Sequence, residues 1–83
     1  METAYTNLYE ITELQQRIIR YIDYWVHTEK TPIPRKEVIS QMEQRNQKSF
    51  TVINALNSLL KLGYIRRTVE TSNKTYYVQL RRI

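Results

Sequence analysis

Apolar residues recur at three- and four-residue steps in three stretches of the chain and at two-residue steps near its end. In the segment 48–65, KSFTVINALNSLLKLGYI, Val52, Ala55, Leu56, Leu59 and Leu62 form one stripe of a helix. Ser49 is placed to cap it, because a serine hydroxyl accepts from an orphan amide of the first turn. Gly63 is the single glycine. It follows the last helical position, where a left-handed turn favours a residue without Cβ. The opposite side of this helix carries Thr51, Asn54, Asn57, Ser58 and Lys61. These are hydroxyls, amides and one amine, with no carboxylate among them. A generic solvated face mixes Glu with Lys.

An earlier helix starts at a capping box, Thr12 with Gln15, and runs to about Glu29 through Leu14, Ile18, Ile22, Trp25 and Val26. Leu8 and Ile11 extend its stripe backwards, and Tyr21 and Tyr24 widen it. Residues 1–9 are read as a flexible N-terminal segment. Pro32 and Pro34 hold Thr31 and Ile33 extended, so Ile33 is expected in a short, buried edge strand. Pro34 suits the first turn of the next helix, over about 34–44, with Val38, Ile39 and Met42 inward. Arg35 and Lys36 stand in that first turn, against the helix dipole, where an anion would favour them. Arg45, Asn46, Gln47 and Lys48 make a polar turn, so the two helices read as a helix-turn-helix.

Beyond Gly63 the segments 64–70 and 75–80 are rich in β-branched and aromatic residues, with turn formers at 71–74 between them. They predict a two-stranded ribbon pairing Ile65 with Leu80, Arg67 with Val78 and Val69 with Tyr76. Ile65, Val78 and Leu80 then face the core. Such a ribbon must pack on the helices to be stable. The fold class is α+β: three helices, a short strand between the first two and a C-terminal ribbon, all within one domain spanning 1–83.

Composition narrows the function. The chain has 83 residues, no cysteine and one histidine, so disulfides, thiolate metal sites and His-based metal sites are not expected. Stability must come from apolar burial. No apolar run is long enough to span a bilayer and no signal pattern opens the chain, so a soluble, cytoplasmic protein is expected. No cofactor or small-molecule ligand is expected. His27 has no cysteine to activate, the serines fit no nucleophile motif and no glycine loop could cradle a phosphate, so the chain does not read as an enzyme.

The net charge of +5 is unevenly spread. Residues 1–34 carry three cations against five carboxylates, a net −2, and residues 35–83 carry ten against three, a net +7. That asymmetry suggests a polyanion on one side and another partner, or none, on the other.

The element order resembles a winged helix-turn-helix domain. Phe50-Thr51-Val52, Leu56, Leu59 and Gly63-Tyr64-Ile65 resemble the recognition helix and first wing strand of MarR-type bacterial regulators. The first helix with Thr31-Pro32-Ile33-Pro34-Arg35-Lys36-Glu37-Val38-Ile39 looks like the start of a LexA-type DNA-binding domain. The resemblance covers roughly residues 10–80. It implies a double-stranded DNA partner, with helix 49–62 in the major groove and the wing at 70–75 on backbone or minor groove.

Under that reading Asn54 and Asn57 contact bases, since an asparagine amide can pair with adenine in the major groove, and Thr51, Ser49 and Ser58 assist. Arg35, Lys36, Lys48 and Lys61 meet phosphates. Arg66, Asn73 and Lys74 serve the wing, with Arg66 expected to face solvent rather than Arg67. Phe50 is read as core packed beneath the turn, in preference to contact with a thymine methyl. Tyr9, Tyr21 and Tyr24 are the candidate homodimer interface. The leading expectation is a small transcriptional regulator, a repressor acting by promoter occupancy, of a kind that would suit a phage or plasmid genome. The alternatives are a protein-interaction module, such as an antirepressor or assembly subunit, and a replication or recombination accessory protein.

Overall fold

The computed structural model describes residues 11–68 and 75–79. The expectations that fall on residues 1–10, Val69, Asn73, Lys74 and Leu80, including Tyr9 and the wing tip, lie outside that range. The elements in chain order are α1 (Glu13–Glu29), β1 (Ile33–Pro34), α2 (Arg35–Glu43), α3 (Ser49–Leu62), β2 (Ile65–Thr68) and β3 (Tyr76–Gln79). Among the described residues they form a small α+β fold of three helices and one three-stranded antiparallel sheet. No helix among the described residues is long and apolar enough to cross a membrane.

The start of α1 is the expected capping box. The Gln15 amide donates to Thr12 Oγ1 at 3.1 Å, and the Thr12 amide donates to Gln15 Oε1 at 2.9 Å. Two orphan donors are thereby satisfied reciprocally. Its end was not marked by a glycine: Lys30 takes the left-handed conformation, φ 62°, and its amide donates to the Val26 carbonyl at 3.0 Å. A residue with a Cβ is strained there by roughly 1–2 kcal/mol. A bend at Lys30 and Thr31 then leads into β1 at Ile33.

Helix α3 begins one residue earlier in effect than expected. Lys48 holds the extended cap conformation, and its carbonyl accepts the first helical bond from Val52 at 3.1 Å. Ser49 is already helical and caps nothing with its side chain. At the other end Gly63 is left-handed at φ 85°, as its lack of Cβ allows. The Tyr64 amide donates back to the Leu59 carbonyl at 3.0 Å, which closes a Schellman turn. That turn folds Tyr64 under the helix, where it is fully buried, and leaves Leu62 at 40% exposure. Tyr64 therefore takes the place at the end of the apolar stripe that periodicity assigned to Leu62.

The core joins Ile18, Ile19 and Ile22 of α1 to Val38 and Met42 of α2, Val52, Leu56 and Leu59 of α3, and Ile33, Ile65 and Tyr77 of the sheet. Ile33 is fully buried in an edge strand, as expected.

The strand order is β1-β3-β2, so the ribbon and the short strand make one sheet. The pairing of β2 with β3 differs from expectation by one residue. Ile65 lies opposite Gln79, Arg66 opposite Val78, Arg67 opposite Tyr77 and Thr68 opposite Tyr76. A slip of one turns every side chain of a strand to its other face. Tyr77 is thus the buried residue of β3, at 2% exposure, and Val78 is only half-buried. The third strand supplies the reason: β1 pairs Ile33 with Tyr77, and that places the larger tyrosine on the core side.

Candidate nucleic-acid interface

The outward face of α3 follows from helical geometry. At about 100° per residue, Phe50, Asn54, Asn57 and Lys61 fall within a sector roughly 60° wide. The buried residues Val52, Ala55, Leu56 and Leu59 are centred nearly opposite. Asn54, Asn57, Ser58 and Lys61 are all exposed, and Thr51, about 60° beyond the edge of the sector, is half-buried. Phe50 is 63% exposed. The expectation that it packs as core is incorrect, because its position on α3 points directly away from the apolar stripe.

Along the chain the charge in and around α3 is of one sign. From Gln44 to Thr68 the chain holds Arg45, Lys48, Lys61, Arg66 and Arg67 and no carboxylate. All five cations are exposed. Among the described residues, no carboxylate pairs with them; the Arg17–Glu13 ion pair, at 3.3 Å, lies on α1, where His27 Nδ1 also stands 2.9 Å from Asp23 Oδ1.

The start of α2 is tied to the sheet. The Arg35 amide donates to the Thr75 carbonyl at 3.0 Å, just before β3. Arg35 and Arg67 both act on Tyr77, whose hydroxyl pKa is raised by burial and lowered in part by these two guanidinium groups. Arg35 is half-buried and Lys36 is exposed. Arg66 and Arg67 are both exposed, so solvent does not distinguish them as alternation suggested. Arg67 shares the Tyr77 face of the sheet, but Tyr77 rather than the arginine fills the core.

The turn between α2 and α3 closes through Asn46, left-handed at φ 68°, and a bond from the Gln47 amide to the Met42 carbonyl at 3.2 Å. It presents Arg45, a cation the motif reading passed over. Its signal was available: Arg45 opens the carboxylate-free stretch.

The tyrosines of α1 differ. The Tyr21 hydroxyl donates to Glu37 Oε2 at 3.3 Å, and its ring meets Trp25 edge-on with centroids 6.5 Å apart. Burial and the Glu37 carboxylate raise its pKa. Tyr21 thus fastens α1 to α2 within the chain. Tyr24 is 63% exposed. Among the described residues, no group of three or more His, Cys, Asp or Glu is arranged to hold a metal ion.

No protein-family model matches the chain, and no curated protein or solved structure matches it.

Proposed function

We propose that this protein is a winged-helix, sequence-specific double-stranded DNA-binding protein that regulates transcription by occupying its site. The observation that supports this most is the outward face of α3: two asparagine amides, an aromatic ring and a lysine, in a stretch without carboxylates. Asparagine is a mediocre helix former, so a face meant only for water gains nothing from two of them. Amides can read adenine in the major groove, and the surrounding cations suit phosphates that repel carboxylates. In this reading α3 enters the major groove. Arg35, Lys36, Arg45, Lys48 and Lys61 meet the backbone, and the segment 70–75 with Asn73 and Lys74 reaches a neighbouring stretch of it. Two copies acting together would supply the specificity that one short helix lacks.

Salt titration of duplex binding tests the reading. With about six phosphates contacted, log K falls against log salt with a slope near −5. Absence of duplex binding at low salt overturns it. The exposed Tyr24 favours a second reading, a protein-interaction module docking through α1. That reading expects a Tyr24→Ala variant to lose partner binding or self-association with no change toward DNA.

A further inference from the structure

The site proposed above leaves one residue unexplained. Phe50 exposes most of a large apolar ring in water. It lies on the amide face of α3, one turn before Asn54 and two before Asn57. Nothing in the packing requires an aromatic there, since the core is complete beneath it with Val52, Leu56 and Leu59 fully buried.

We infer that Phe50 reads the 5-methyl group of thymine, and that the recognised site is an A·T-containing step read jointly by Phe50 and Asn54. The inference rests on the DNA-binding reading and deepens it. In the major groove a T·A pair shows the thymine methyl, the one apolar group on any base edge there, and an A·T pair shows the adenine N7 acceptor and N6 donor. An aromatic ring is matched to the first and an asparagine amide to the second. The spacing agrees. Four residues of helix advance about 6 Å, and base pairs repeat every ~3.4 Å, so the two side chains address pairs one or two steps apart. Charge agrees as well. Lys48 lies two residues before Phe50, and no carboxylate occurs from Gln44 to Thr68, which suits the ring to an anionic partner.

The test uses the whole chain and duplexes selected from random DNA. Each thymine of the selected site is replaced singly by deoxyuridine, which removes the methyl group and keeps the base pair. At one or two positions the native protein should lose about fourfold in affinity, the value of one methyl group taken from water. The Phe50→Ala variant should bind the thymine duplex more weakly and show no further loss with deoxyuridine. Phe50→Leu, which keeps an apolar contact, should retain part of the sensitivity. Thermal unfolding of Phe50→Ala should match the native protein, because the ring is outside the core. Selective binding with no deoxyuridine effect, or with the same losses in Phe50→Ala, overturns the thymine assignment and leaves the DNA-binding reading standing. Failure to select any duplex overturns both. Loss of self-association in Phe50→Ala, with DNA affinity intact, assigns the ring to a protein contact and overturns the inference.

Discussion

Helix α1 carries Glu13 with Arg17, opposite charges four residues apart and close enough to pair, and Asp23 with His27 at the same spacing within hydrogen-bonding reach. Helix α3 turns Phe50, Asn54, Asn57 and Lys61 outward and has no carboxylate to pair with anything. Both helices bury an apolar stripe of similar make, isoleucine in α1 and leucine with valine in α3. The difference is therefore confined to the surface. Local pairs of the α1 kind support a helix by a few tenths of a kcal/mol each. The α3 face forgoes that support and accepts poorer helix formers. Such a surface is poorly suited to water alone and well suited to a partner that brings acceptors, donors and negative charge.

Four experiments break or sharpen the contrast. The largest effect belongs to what the two helices share. Leu59→Ala removes a fully buried side chain and should lower unfolding free energy by about 2–5 kcal/mol in denaturant titration. Native-like stability would mean that the faces of α3 are reversed. Asn57→Ala separates the faces. It should cost about 1–3 kcal/mol in specific DNA affinity, leave binding to unrelated duplex almost unchanged, and raise helix stability by a few tenths of a kcal/mol. Equal losses on specific and unrelated DNA would remove base reading from this residue.

The third experiment uses pH. Tyr77 on β3 and Tyr21 on α1 both have pKa values raised above 10.0. A raised value means that the folded state keeps its proton while the unfolded chain ionises. Their contribution is therefore intact below pH 10 and is lost as the pH climbs from there through the folded values. Tyr77→Phe and Tyr21→Phe should each flatten part of the alkaline loss in pH-dependent unfolding; an unchanged slope in both variants would mean that neither phenol is held neutral by the fold. The smallest effect is Arg17→Ala, about 0.3–0.5 kcal/mol of stability through the exposed pair with Glu13, detectable at low salt and absent at high salt. A large loss there would show that the α1 surface is more than a solvated face.

What could be read beforehand, and what could not, divides along physical lines. The capping box of α1, the stop at Gly63 and the buried Ile33 were legible because each rests on a local rule: a hydrogen-bond spacing, a missing Cβ, a residue trapped between prolines. The exposure of Asn54 and Asn57 followed from helical period alone. The ribbon register was not legible. Tyr76, Tyr77 and Val78 are three consecutive residues with apolar surface, so alternation leaves two registers open, and the choice was made by β1 from more than forty positions away. Tyr64 was read as a strand residue because a Schellman turn is a backbone event that only its glycine announces. Phe50 was read as core from hydrophobicity, although its angular position already set it among the amides.

The sheet order carries a consequence for how the molecule is assembled. The middle strand is β3, and both of its neighbours precede it in the chain. Until residues 76–79 leave the ribosome, β1 and β2 have no mate, Tyr77 cannot fill its place beside Ile33, and the start of α2 lacks the Thr75 carbonyl. A nascent chain halted before Thr75 should therefore hold helices without a sheet. Closure waits for β3: its pairing with β2 is local, and its pairing with β1, across more than forty residues, is of the slow kind to form.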